Sequence, residues 1–351
     1  MKNKLLLIDG SSLLSTHYHG NLPRELQGVR DPEQRQALFS KILHTSDGKY
    51  TNAMYGMLKA MLKIIKEQKP SHIAVCWDVT RDTFRRSIAT SYKGTRKGTD
   101  APLKEQFVNM QELLREIGIP QLMSDPKADI ENIFEADDYL GSMAKKFEKD
   151  IATLILTKDN DALQLVSDFT RLWLVTSKAD ELRKEYYPDF TEGLPTGVIE
   201  LTPPLVKEYK GVYPAQCIDL KALEGDSGDN IPGVKGVGPK AAIPLIQEYG
   251  SIEVIYDILE NLDAATEKEI KEFWKTSLGI SRSPISNLLK ESTESEVLGK
   301  EAAFLSKELG TIKCDIPISQ ELADFEVNIL DDKLREQCLK YEFNSLIAGK
   351  F

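Results

Sequence analysis

The sequence predicts an α/β protein with a mostly parallel, doubly wound sheet, followed by a helical subdomain. Three observations carry this. Short apolar runs recur at Lys4-Leu-Leu-Leu-Ile8, Ile73 to Trp77, Ile151 to Thr157 and Leu172 to Val175, each of strand length. Stretches with apolar residues at helical spacing separate them. From about residue 200 the strand signal fades, and short helices punctuated by Gly and Pro take over.

Taken in order, the first run ends at Asp9 and reads as a buried strand. Met54, Met57, Leu58, Met61, Leu62 and Ile65 mark an amphipathic helix that stops before Pro70. Phe107, Met110, Leu113, Leu114 and Ile117 mark a second, opening near Pro102 and ending at Gly118. A third runs from about Glu135 to Glu148. Strands alternating with helices place the ligand crevice at the carboxyl ends of the strands. Residues 20 to 50 and 177 to 200 read as surface excursions, and 261 to 300 as a solvated helical or loop insertion.

The chain has 351 residues, 41% of them hydrophobic, which suits a sizeable core in about two domains. The apolar run at the N-terminus is too brief for a membrane span, so a cytoplasmic location and no membrane partner are expected. Four scattered cysteines form no CxxC pair, which points to neither zinc nor a disulfide framework. A net charge of −10 argues at face value against a nucleic-acid partner. The distribution of the acids weakens that objection.

Asp9 and Asp78 end two strands of the same sheet and should emerge in one crevice. Glu135, Asp137 and Asp138 cluster at the start of the third helix, Asp159 and Asp161 close the third strand, and Asp226 and Asp229 open the helical region. A single such Asp is usually a cap. Five acidic sites at strand exits and element starts are better explained as ligands. Hard divalent cations such as Mg²⁺ or Mn²⁺ take oxygen donors, and nine carboxylates suit two ions roughly 3.5–4 Å apart that clamp a phosphodiester. Without cations, acids so close would repel and raise one another's pKa.

A basic segment follows Asp78. Arg81, Arg85, Arg86, Lys93, Arg96, Lys97 and Lys104 face only Asp82 and Asp100 between residues 81 and 104, and Tyr92 sits among them. Cations around an aromatic suit a single strand whose base stacks on the ring. A solvated charge run is the plainer alternative. Ile231 to Ala242 is a hairpin leading into a helix; Gly233, Gly236 and Gly238 let backbones approach closely, and Lys235 and Lys240 add charge for a phosphate backbone. A structural turn is the alternative there. The GxxxxGK[ST] phosphate loop is absent.

Leu7-Ile-Asp-Gly-Ser-Ser12, Thr51-Asn-Ala-Met-Tyr-Gly56, Thr83-Phe-Arg85, Tyr92-Lys93 with Arg96, Glu135-Ala-Asp-Asp138 and the blocks Leu220 to Asn230 and Ile231 to Lys240 resemble the 5′ nuclease domain of bacterial DNA polymerase I and its flap-endonuclease relatives. The resemblance implies a PIN-like sheet, a helical arch over the site (about 80–118) and a helix-three-turn-helix motif (about 218–250). It divides the chain into a nuclease core, 1–200, and a helical DNA-binding subdomain, 201–351.

By match of motif, Asp9, Asp78, Glu135, Asp137 and Asp138 surround a first metal ion, and Asp159, Asp161, Asp226 and Asp229 a second. Lys93 and Arg96 engage the reacting phosphate. Arg85 contacts DNA, Tyr92 stacks on a base, and Gly233 to Lys240 grip the duplex with a K⁺ ion at the motif. The implied activity is metal-dependent hydrolysis of DNA at 5′ ends, flaps or branches, in primer removal and repair, by a monomer that also meets RNA primers in hybrids. A PIN-type ribonuclease and a non-catalytic junction-binding protein are the rival readings. Departures from the family pattern are a long segment between Tyr18 and Thr51, Asn160 where a lysine is common, and expansion of 261 to 300.

Overall fold

The computed structural model describes residues 3–96, 98–187 and 193–348. Six strands form one sheet: β1 Lys4–Asp9, β2 His72–Cys76, β3 Gln121–Leu122, β4 Ala152–Thr157, β5 Thr170–Val175 and β6 Val198–Leu201, in the order β3-β2-β1-β4-β5-β6. All neighbours are parallel except β5 and β6. β1 therefore lies at the switch point, with β2 on one side and β4 on the other, and its carboxyl end opens the crevice.

Alternation along each strand splits the core into two layers. Leu6, Ile8, Ile73, Val75, Leu154, Leu156 and Trp173 face the helices Asn52–Gln68 and Ala101–Glu116, which bury Met54, Met57, Leu58, Met61, Met110, Leu113 and Leu114 against them. Leu5, Leu7, Ala74, Cys76, Ile155, Leu172 and Leu174 face the helix Ala136–Phe147, through Leu140, Met143 and Phe147. The first amides of Asn52–Gln68 are satisfied from outside: Ala53 N and Met54 N donate to Gln106 Oε1 at 2.8 and 3.3 Å.

The four expected strands and three expected helices are present, and two strands go beyond them. β3 has only two residues, and β6 begins in the stretch 177–200 read as a surface excursion and ends just past it; it pairs antiparallel with β5. An edge strand so short lacks the apolar run that marks β1 or β4.

A separate helical body is built from Cys217–Glu224, Pro239–Tyr249, Ile252–Glu260, Ala264–Thr276 and Gly299–Gly310 around Leu220, Leu245, Ile246, Tyr256 and Trp274. Residues 261–300 are only partly a solvated insertion, because Trp274 is 1% exposed and its Nε1 donates to Tyr249 Oη at 2.7 Å. The helical subdomain is narrower than 201–351. Val206 packs on the sheet's second face, and after Gly310 the chain returns to the first body. There Val327 N donates to Ser71 O at 2.9 Å, Leu330 N to Ile117 O at 3.0 Å, and Tyr341, Phe343 and Leu346 join the first core layer. Burial of these apolar side chains outweighs sequence proximity in setting the boundary.

Candidate active site

Strand exits and helix starts converge on a cavity of about 480 Å³. Seven of the nine predicted acids line it: Asp9, Asp78, Glu135, Asp137, Asp159, Asp161 and Asp229. Among the described residues no three acids close on one point as a ready ligand set. They share a wall rather than a centre.

Asp9 ends β1 and caps the next helix, its Oδ1 accepting from Ser12 N at 2.9 Å and its Oδ2 from Thr157 Oγ1 at 2.7 Å. Asp78 follows β2 and places Oδ1 2.8 Å from Ala136 N, while its own amide donates to Ser11 Oγ. Each carboxylate is thus held by a fixed hydrogen-bonding partner at an element end. Burial, followed by the nearby Asp78, pushes Asp9 up to about 7. Burial also raises Asp78, and burial followed by repulsion from Asp159, Asp9, Asp78 and Asp161 raises Asp137 well above the carboxylate range. Asp137 Oδ1 is buried without any hydrogen-bond partner.

Other acids are neutralised by the chain's own cations. Lys93 Nζ donates to Glu135 Oε2 at 2.8 Å, Arg96 pairs with Asp229, and Lys221 Nζ lies 2.6 Å from Asp161 Oδ2 and 2.8 Å from Asp226 Oδ2. Burial works to raise Glu135, but Lys93 and Arg85 outweigh it and hold its carboxyl below the usual range. Burial likewise opposes the lowering of Asp226, which Lys221 achieves. Asp161 stays raised, to about 6, because burial exceeds the pull of Lys221. Asp226 stands outside the main cavity, in the wall of an adjoining one of about 150 Å³.

The segment expected to arch over the site crosses it at close range. Between the short helix Phe84–Ile88 and Ala101–Glu116 the chain turns so that Lys93, at φ 53°, points into the cavity. Lys93 N donates to Asp229 O and Asn230 Nδ2 to Ser91 O, both at 2.8 Å, which clasps the crossing segment to the loop carrying Asp226 and Asp229. Lys97 lies outside the described residues.

Three expectations need correction here. Asp138 does not line the cavity: it is fully buried, its carboxylate taken by Arg85 and by the amides of Glu135 and Lys313. Arg85, expected on DNA, is 3% exposed and also donates to Leu309 O and Thr311 O. Tyr92, expected to stack on a base, is 3% exposed and places its hydroxyl on Glu135. Each follows from packing, which the spacing of residues does not reveal.

The glycine hairpin is built as its composition suggests. Gly233 has φ +61°, and a Cβ there would lie 2.3 Å from Gly225 N; Gly236 has φ +84°. Val234 N donates to Leu223 O at 2.8 Å, and Gly238 leads into Pro239–Tyr249. Lys240 is exposed, and Lys235 reaches Glu296 at 2.9 Å. Neither lines the acidic cavity. Sequence reasoning missed Lys221, Thr157 and Ser11 as site residues. A lysine five positions before Asp226, on the helix leading to it, was the available signal for the first.

A family profile described as the 5′-3′ exonuclease N-terminal resolvase-like domain matches residues 4–190, and one for the 5′-3′ exonuclease C-terminal SAM fold matches 212–333. The chain belongs to the 5′-3′ exonuclease family. A 5′-3′ exonuclease of Halalkalibacterium halodurans is 32% identical over 332 residues, 93% of this chain and 88% of that protein. DNA polymerase I of Bacillus subtilis is 33% identical over 327 residues, 93% of this chain and 29% of that protein. For DNA polymerase I of Bacillus caldotenax the identity is 32% and the shares 92% and 29%. The chain therefore spans less than a third of the length of those polymerase relatives.

Solved structures share the fold. The T5 D15 protein co-crystallised with metal ions superposes at a TM-score of 0.56 with 20% identity, over 89% of this chain and 90% of that one. The catalytic core of Rad2 in complex with DNA substrate gives 0.54 with 17% identity, over 98% and 91%. A resolvase-like α/β body followed by a helical SAM-fold body is the architecture of this 5′-3′ exonuclease family member. Among its described residues no helix is long and apolar enough to cross a membrane.

Proposed function

We propose that this family member hydrolyses DNA phosphodiester bonds at 5′ ends, flaps and branches with two divalent cations, Mg²⁺ or Mn²⁺. The observation that carries the reading is Asp137, whose Oδ1 is buried without a partner among acids that raise one another's pKa. An all-oxygen donor set of that kind fits a hard divalent cation. With Glu135 paired to Lys93 and Asp138 to Arg85, the expected first set would keep Asp9, Asp78 and Asp137 and gain Asp159 from the second, leaving Asp161, Asp226 and Asp229 for the other ion. Such ions would supply charge neutralisation at the phosphate and an activated water.

The chain's own residues do the rest. Ser12, Thr157 and Ala136 fix the orientations of Asp9 and Asp78 through their hydrogen bonds. Lys93 and Arg96, now paired with Glu135 and Asp229, can exchange those carboxylates for phosphate oxygens. The Gly233 to Lys240 hairpin grips the duplex backbone, with a K⁺ ion as its partner there. Support for DNA as substrate comes from the T5 and Rad2 structures, which carry the same fold with DNA and metal ions or with DNA substrate. Primer removal and repair, action on RNA-primed hybrids, a cytoplasmic location and a monomeric state belong to the same reading.

The test is a labelled 5′-flap duplex incubated with Mg²⁺ and with EDTA. Metal-dependent product near the junction is expected, and its loss in Asp137→Asn. Equal product in EDTA, or none in Mg²⁺, rejects the reading.

A further inference from the structure

The acids divide into two groups by their partners. Asp9, Asp78, Asp137 and Asp159 form no salt bridge with a lysine or arginine among the described residues. On the other side, Asp161 lines both the main cavity and the smaller one beside it, whose wall also carries Lys221, Glu224 and Asp226. The Lys221 ammonium sits between Asp161 Oδ2 at 2.6 Å and Asp226 Oδ2 at 2.8 Å, with 14% of its side chain exposed. Glu224 Oε1, from the same helix, is buried with no partner. Two carboxylates, Asp161 and Asp226, thus share the Lys221 ammonium, while Glu224 Oε2 has its own partner in Lys210 Nζ at 3.8 Å.

We infer that Lys221 is an internal counter-ion standing where the second divalent cation would bind, so that the two cations load unequally. This rests on the metal-dependent reading above. An ammonium and a divalent cation compete for the same carboxylate oxygens. The first group offers oxygens with no competitor. In the second, an ion must displace a largely buried lysine from two short contacts, and the displaced charge must find new partners. Asp161 and Asp226 carry two negative charges against the single charge of Lys221, so that side stays attractive to a cation and loading is weakened rather than abolished. Lys221 is accordingly a positioning residue that sets the affinity of the second ion.

The test is calorimetric titration of Mn²⁺ into the DNA-free chain, comparing wild type with Lys221→Met, which keeps the apolar stem and removes the charge. Wild type should bind one ion tightly and a second weakly. In Lys221→Met the second should tighten by roughly tenfold or more, with the first unchanged. Lys221→Arg, which retains the charge, should restore the unequal pattern. Should Lys221→Met melt early, Lys221→Gln gives the same reading with a side chain that still hydrogen-bonds. An unchanged or weaker second site in the neutral variants overturns the inference. Absence of Mn²⁺ binding in every protein instead rejects the metal reading itself.

Discussion

Arg85 and Asp138 meet side-on, Nη1 to Oδ2 and Nη2 to Oδ1 both at 2.8 Å, with side-chain exposures of 3% and 0%. The pair ties the basic segment to the helix Ala136–Phe147, and Arg85 reaches on to Leu309 O and Thr311 O. Removing the guanidinium strands a buried carboxylate. Arg85→Ala should therefore lower unfolding stability by about 3–5 kcal/mol in urea titrations. Asp137→Asn, one position from Asp138, should abolish cleavage without that loss. Equal stability effects of the two changes would contradict this division of labour.

The raised acids set a pH dependence. Asp9 gives up its proton near the usual 3.8 when unfolded and at about 7 when folded, and Asp161 at about 6. Folding thus takes up protons between those values, so the stability of the metal-stripped protein falls as pH rises from about 4 to 7. Melting temperatures in EDTA should be higher at pH 5.5 than at pH 8. Added Mg²⁺ should raise the pH 8 value more, and Asp9→Asn should flatten the slope.

Lys93 and Arg96 each neutralise an acid at the cavity rim, and the Arg96 side chain is 44% exposed. If they serve the phosphate, Lys93→Ala and Arg96→Ala should each reduce kcat by about 10²–10³-fold. Calorimetric Mn²⁺ binding should survive both changes. A purely structural role would leave single-turnover rates near wild type.

The glycine hairpin separates grip from fold. Gly233→Ala should destabilise by about 1–3 kcal/mol, because its Cβ would collide with the backbone at Glu224 and Gly225. Lys240→Ala, on the surface, should leave the urea midpoint unchanged. It should weaken duplex binding and reduce the salt dependence of that binding by about one unit of slope.

Where the sequence was legible, one physical cause dominated. β1, β2, β4 and β5 are buried on both faces and so appear as unbroken apolar runs, and their ends put Asp9, Asp78 and Asp159 on the wall of one cavity. Asp138 shows the limit. It shares its cluster with Glu135 and Asp137, yet its direction on the helix and the arrival of Arg85 from fifty-three positions away bury it as an ion pair. Tyr92 was misread for the same reason, since its ring closes under Lys93 rather than facing outward. β6 was invisible because an edge strand of four residues needs β5 to define it.

The helical body leaves the first body near Val212 and re-enters it at Thr311, so two stretches of chain anchor it rather than one. A body on a single linker swivels freely; on two it can only rock about the line between them. That line passes by Gly310, which itself receives a hydrogen bond from Gln164 in the cavity's neighbourhood. Tilting the helical body would therefore pull on Gln164 and on the cavity wall that Gly310 helps to form.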